Sequence, residues 1–469
     1  MKNSIFALIL ALGAASSLIA PIPAHPKTGE YVVGMFGIPE GNIDLLMQAG
    51  VSSAIISSPD IGRADALKLK KIPYTDVTQR TINQGTADAS FSRQENSLRS
   101  AANVYDYYLG DDLKCKSAPF INSIRQRLGV KRGIVGVLKG LQCYTDYDIL
   151  RYHYPLMRRQ LSLAKMLNEQ VHIANELHSS DRKMYLATQT HPQLWYQKAV
   201  ELSDMNPRAL LYPDGQVTRM LDYYSLASGA DGFFLYNRKG LSGPWSRERL
   251  LGAAQAILET TPLRESVFNA SSALFFEAGP DIFGTKLSGA AYDLYFVFCA
   301  DKHTMYHPSS QTRNVELSAI VKSAQYKSVL VYSPLGTQPA SKSINVSQDH
   351  SLVLIAAKAD LNAGSFRLAP AGVKLYSEIL EERADQLAGN LKLFGVSVPP
   401  LPAQSPSVGN KISALGQYID NLNEIKRNEW LHRIGNSMPT DGDILNELYF
   451  KGLLKNMFLG NVSFNFYYK

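Results

Sequence analysis

Two adjacent carboxylates, Asp111 and Asp112, close the run Tyr107-Tyr108-Leu109-Gly110-Asp111-Asp112. Neighbouring carboxyls cannot ionise independently, so one can keep a proton near neutral pH and serve as a general acid. A carboxylate pair after a strand also suits a helix N-cap, where it accepts backbone N–H groups. Asp106, just upstream, reads as a solvated or paired residue. A polar and aromatic set recurs at the ends of successive apolar runs: Asp76, Tyr107, Lys139, His153, Tyr154, Gln189, His191, Tyr236, Asn237 and Arg238. Such a rim suits a sugar, whose hydroxyls pair with donors and acceptors and whose ring faces stack on aromatic side chains. Hydrolysis of a glycosidic bond would need a second carboxylate about 5 to 10 Å from the first. Asp76, Asp146 and Asp148 are the sequence's offers for that place. His153 and His191 read as rim residues or sugar hydrogen-bonders; as a metal pair they lack a third ligand, so no metal is expected.

The elements that must position these groups follow from periodicity. Between Tyr31 and about Pro262, short apolar runs alternate with stripes at three- and four-residue spacing. The pattern predicts strands over 32–36, 54–56, 72–77, 104–109, 133–138, 149–154, 183–189 and 232–236. Helical stripes separate them, the clearest carried by Leu163, Met166, Leu167, Val171, Ala174 and Leu177. Eight alternations in about 230 residues match a (β/α)₈ TIM barrel, which places its functional groups at the C-terminal strand ends. A doubly wound sheet is the competing architecture. It would carry a glycine fingerprint after the first strand, and neither G-x-G-x-x-G nor a P-loop is present, so no cofactor is expected.

Beyond Pro262 the period changes. Runs over 274–276, 291–298, 315–320, 328–332, 343–346 and 352–356, parted by Gly, Pro, Asn and Asp, predict a small antiparallel β-sandwich. Amphipathic helices follow around Ile379–Leu391 and Ile412–Leu422, joined by the linker-like stretch 401–407. The expected division is a signal peptide over 1–24, a barrel over 28–262, a sandwich over 268–375 and a helical C-terminal region over 376–469.

Composition and cysteine usage narrow the setting. The chain is 45% hydrophobic and 19% charged, which excludes a disordered or collagen-like protein. Its 48 basic against 41 acidic residues leave +7, thinly spread, with no aromatic-interleaved basic run, so no nucleic-acid partner is expected. Lys2 followed by a short apolar stretch to Ala20 reads as a cleaved export signal, with no later run able to span a membrane. A secreted or periplasmic location follows, where cysteines pair. Cys115 and Cys143 fall in loops after strands four and five, adjacent in a barrel, and are expected to form a disulfide; Cys299 sits in an alternating apolar run and reads as a buried thiol.

The run Tyr107–Asp112 resembles the "Tyr-Tyr-Leu-x-Asp-Glu-Pro" strand-four element of secreted glycoside-hydrolase-like barrels with an appended β-sandwich. Asp148-Ile149-Leu150-Arg151-Tyr152-His153-Tyr154-Pro155 is similar to their strand-six "Asp-x-x-x-x-Asp-x-Tyr-Pro" element, and Gln189 and Gly229-Ala230-Asp231-Gly232-Phe233 look like theirs too. The resemblance spans about Tyr31 to Ala357. It implies a glycosidase with Asp112 as proton donor acting on an oligo- or polysaccharide. Asp112 stands where the family element carries Glu, and Leu113 replaces its Pro. The shorter arm withdraws the carboxyl by about 1.3 Å, a displacement to which reacting geometry is sensitive. A carbohydrate-binding barrel that has lost the acid pair is the alternative, and an interaction protein acting through its aromatic C-terminal tail is a third. Sugar identity and oligomeric state are not encoded in these motifs.

Overall fold

Eight apolar runs become eight parallel strands in the computed structural model, which describes residues 29–39, 43–137, 141–153, 163–190, 215–236, 246–300, 312–347, 351–361, 363–393, 395–403 and 405–433. The strands are β1 (Val32–Phe36), β2 (Ser53–Ile56), β3 (Lys70–Pro73), β4 (Tyr108–Leu113), β5 (Ile134–Val137), β6 (Asp148–His153), β7 (Met184–Gln189) and β8 (Gly232–Tyr236). Their order is β3-β2-β1-β8-β7-β6-β5-β4. The last seam is closed by parallel bridges Lys71–Val104, Tyr74–Tyr108 and Thr78–Asp111. The result is a TIM barrel, with helices α1 (Asp44–Ala49), α2 (Ile61–Ala66), α3 (Gln79–Asn83), α4 (Ala87–Ser100), α5 (Ala118–Leu128), α6 (Leu163–His178), α7 (Gly215–Ala227) and α8 (Ser246–Thr260) on its outside.

Strand four departs from the sequence expectation. It begins at Tyr108 rather than near Val104 and runs through both aspartates. Upstream, the Asp106 carboxylate accepts the Tyr107 N–H at 2.7 Å, and the chain meets β3 only through isolated bridges. Strand three stops at Pro73 instead of reaching Val77. Because Asp111 and Asp112 lie inside a strand and α5 starts only at Ala118, neither caps that helix.

After a short helix α9 (Arg264–Phe268) comes an antiparallel sheet of β9 (Ser272–Gly279), β10 (Ile282–Ser288), β11 (Tyr292–Cys299), β13 (Ser328–Ser333), β14 (Gly336–Pro339) and β16 (Leu352–Ala357). It is ordered β14-β13-β16-β11-β10-β9, and β12 (Arg313–Glu316) pairs with β15 (Ser343–Val346) as a second sheet. Tyr295, Val297, Cys299 and Leu354 face Val315, Ile344 and Val346 of that small sheet. Phe283, Phe296, Phe298 and Ile355 join the core shared with the barrel helices. The central strands β10, β11 and β16 are therefore buried on both faces, and Thr285 Oγ1 donates to Ala227 O of α7 at 2.7 Å. The expected strand over 315–320 is divided: β12 ends at Glu316 and Leu317–Ile320 forms a helical turn, α10. Helix α11 (Pro370–Leu393) packs on α8, and α12 (Val408–Arg433) packs on α11. No helix among the described residues is long and apolar enough to cross a membrane.

Candidate active site

The barrel interior alternates with its outer face at a period of two. Val32 and Phe36, Ile72, Ile134, Leu150, Tyr185 and Phe234 fill the inside. Strand β4 breaks this rhythm. Its pairing with β5 runs Tyr108–Ile134, Gly110–Val135 and Leu113–Val137, so extra residues of β4 oppose fewer of β5. Such bulges occur at barrel rims and re-aim side chains. Asp112 takes the left-handed conformation at φ 54, a region that Asp tolerates better than most residues. Leu113 stays buried in the helix-facing core with Ile121, while Asp111 turns into the barrel and is buried.

Among the described residues, Asp111 Oδ1 accepts hydrogen bonds from Tyr108 Oη at 2.7 Å, from Tyr152 Oη at 2.6 Å and from the Asp112 N–H at 2.9 Å. Donors on a carboxylate favour its charged form. Burial, and next the Asp111 charge, push the Tyr108 hydroxyl well above its ordinary value, so it remains a protonated donor. Strand β5 makes room for this group with a glycine. A Cβ on Gly136 would stand 2.1 Å from Tyr108 Oη and 2.6 Å from Asp111 Oδ1. Around the carboxylate the rings interlock edge to face, with Phe36 centred 5.7 Å from Tyr108 and 5.1 Å from Tyr236, and Tyr236 5.5 Å from Tyr152. Tyr74 lies 5.1 Å from Tyr108.

The turn after β4 is clamped from two sides. Gln79 Oε1 accepts from Lys114 N and Ser117 Oγ, both at 2.8 Å. Cys115 and Cys143 are joined in a disulfide, and Tyr144 Oη donates to Lys114 O at 2.7 Å. Cys299 is buried, and burial pushes its thiol up to about 11.

The residues singled out from sequence divide accordingly. Asp111 is buried at the mouth, with Tyr236 half-buried beside it, while Asp112 and Asp76 are exposed on the rim, Asp76 also left-handed at φ 55. Tyr107 does not face the site. Its side chain is buried against α4, where the hydroxyl donates to Leu98 O at 3.0 Å, because the barrel-facing member of the tyrosine pair is Tyr108. Asp148 opens β6 at the far end of the barrel and accepts from Lys183 N at 2.9 Å, and exposed Asp146 precedes that strand, so neither reaches the mouth. Asp106 lies at that far end too, and burial pushes its carboxyl up to about 7. His153 and Gln189 end β6 and β7. Lys139, Tyr154, His191 and Asn237 fall outside the described residues.

Tyr152, Tyr74 and Gly136 escape the sequence reading. A signal for Tyr152 exists: Arg151, in the same strand, must face outward, where it meets Glu169 of α6 at 2.6 Å, so Tyr152 must face inward. A glycine inside an apolar strand similarly marks a close approach. Among the described residues no cluster of three His, Cys, Asp or Glu side chains is placed to hold a metal ion.

No protein-family model matches the chain. No curated protein matches it in sequence. Among solved structures it is similar to an α-amylase from Lactobacillus plantarum, at 8% identity and a TM-score of 0.39, over 70% of this chain and 99% of that one. It is also similar to a cyclic α-maltosyl-(1→6)-maltose hydrolase from Arthrobacter globiformis in its ligand-free form, at 8% identity and a TM-score of 0.34, over 70% of this chain and 98% of that one. Likeness of this extent fixes neither reaction nor substrate.

Proposed function

We propose that the chain is exported, binds an oligo- or polysaccharide across the C-terminal mouth of its barrel, and hydrolyses a glycosidic bond there. The observation that carries this reading is the Asp111 carboxylate, buried at the mouth and fixed by Tyr108, Tyr152 and a backbone N–H within a ring of aromatic side chains. Three donors on one oxygen suit an anion, so Asp111 acts as the ionised carboxylate facing the sugar carbon that becomes cationic. Asp112, exposed one residue later on the rim, is the candidate proton donor. The Cys115–Cys143 disulfide supports export, because such bonds persist in oxidising compartments. The leader proposed over 1–24 lies outside the described residues.

A binding protein without turnover is the second reading. It is favoured by one fact: among the described residues, Asp111 is the only buried carboxylate that a barrel strand carries at that end. Release of phenol from a panel of aryl glycosides, alongside binding of an oligosaccharide pool, separates the two. On the hydrolase reading, Asp112→Asn abolishes cleavage of unactivated oligosaccharides and spares aryl substrates whose leaving groups need no proton. Binding with no release of phenol or reducing ends leaves the second reading.

A further inference from the structure

Helix α11 lies against the outside of the barrel, and among its charged residues Arg383 alone is buried. Arg383 is fully buried. Its guanidinium donates from Nε to Glu248 Oε1 at 3.0 Å, from Nη1 to Gln255 Oε1 at 2.6 Å and from Nη2 to Gln216 Oε1 at 3.3 Å. Glu248 lies in the first turn of α8, and Gln216 in the first turn of α7. The other carboxylate oxygen of Glu248 accepts the N–H of Gly215, the residue that begins α7. One buried ion pair therefore ties together the N-terminal ends of two barrel helices, and a carboxylate placed there complements the helix dipole.

Backbone contact at the same level points the same way. A Cβ on Gly252 would fall 2.2 Å from Gly215 O, and one on Gly215 would fall 2.4 Å from Glu248 O. The two helices thus touch backbone to backbone where they start. In a (β/α)₈ barrel those starts stand at the mouth, because each helix runs back from the C-terminal end of the strand before it. Helices α7 and α8 follow β7 and β8, which end on Gln189 and Tyr236. Thr190 Oγ1 joins those two ends by donating to Tyr236 O at 2.7 Å.

We propose that Arg383 is a positioning residue for the barrel mouth: a side chain of the C-terminal helix sets the helix starts behind β7 and β8, and with them the β7–β8 side of the carbohydrate site. The second half of this statement rests on the function proposed above; the first does not. The network continues one turn farther along the same helices: Gln255 Nε2 donates to Glu259 Oε1 at 2.8 Å, and Glu259 also accepts from Arg219 of α7 and from Tyr376 of α11, both at 2.7 Å. Arg383 is the cation of this network that meets the first turns of both α7 and α8, through Gln216 and Glu248.

Hydrogen exchange of the full chain tests the first half directly. Arg383→Met combined with Glu248→Gln removes both charges together, which avoids leaving one of them buried alone. The expected result is exchange about tenfold or more faster at amides 216–219 and 247–250, with β4 to β6 unchanged, since local opening is confined to the released unit. In turnover, KM rises about tenfold while kcat stays within about threefold, the pattern of lost substrate binding with the Asp111 side intact. Lys411→Met breaks a pair between α12 and Glu381 on another face of α11, and leaves both readouts at wild-type values. Should the double variant fail to fold, Gln216→Met removes only the neutral acceptor and gives the same pattern at smaller amplitude. Unchanged exchange at the two helix starts, acceleration spread evenly over α7, α8 and α11, or a fall in kcat with constant KM overturns the proposal. If the wild-type chain binds no sugar, the proposed function fails while the exchange measurement still decides the role of Arg383.

Discussion

Gly136→Ala is the smallest perturbation that reaches the proposed site. The added Cβ would stand 2.1 Å from Tyr108 Oη and 2.6 Å from Asp111 Oδ1, both far inside contact distance, so the buried phenol and the carboxylate must both move. Overpacking of a filled core costs about 1–3 kcal/mol. A lost hydrogen bond to a charged group costs about 1.5–3 kcal/mol, so the sum is about 2.5–6 kcal/mol if Tyr108 releases Asp111. Displacement of the carboxylate by about 1 Å lowers turnover about a hundredfold. Thermal unfolding and release of reducing ends read the two effects separately. Val135→Ala is the control, because Val135 is buried in the helix-facing core one residue away. It costs stability through the space it leaves but spares turnover. Adding Tyr108→Phe to Gly136→Ala removes the nearer obstacle and recovers stability, yet leaves the Asp111 clash, so activity stays low. Wild-type stability and turnover in Gly136→Ala would refute the reasoning.

Other consequences follow from the same geometry. Tyr152→Phe removes one of three donors to Asp111 Oδ1 and lowers turnover about tenfold or more, with a stability loss of about 1.5–3 kcal/mol measurable by denaturant unfolding. Replacing Cys115 and Cys143 by Ser opens a bridge spanning 28 residues and costs about 3–4 kcal/mol in the chain-entropy model, read as a lower melting temperature in the unreduced protein. Asp106 has its carboxyl pushed up to about 7 by burial, so the folded state holds this proton more tightly than the unfolded chain. Its contribution to stability is complete below about pH 4 and is lost as pH rises through about 7, with a slope of up to about 1.4 kcal/mol per pH unit. Asp106→Asn removes that slope; equal pH profiles for variant and wild type would contradict the assignment.

The barrel was legible because each strand is short, apolar and followed by a helical stripe, a pattern that needs no knowledge of register. Register was the weak point. In Tyr107-Tyr108 either ring could face inward, and only the bulge and the bridges to β3 decide for Tyr108. Strands such as Ile134–Val137 are buried on both faces, so alternation carries no signal there. Strand β10 was missed because its run Ile282–Ser288 includes Gly, Thr and Lys, and its partners lie across a turn at Asp281, left-handed at φ 61. The polar residues of α7 are buried by later elements of the chain, which a helical stripe cannot foretell. At the mouth, adjacency drew attention to both aspartates, but which one enters the barrel depends on a backbone irregularity that spacing does not reveal.

The most direct test compares wild type and Asp111→Asn on one unactivated oligosaccharide pool, measuring binding and release of reducing ends together. The amide keeps the shape and the acceptor oxygen for Tyr108 and Tyr152 while removing the charge. The expected result is affinity within about tenfold of wild type and turnover reduced about a thousandfold or more. Wild-type turnover by Asp111→Asn would contradict it.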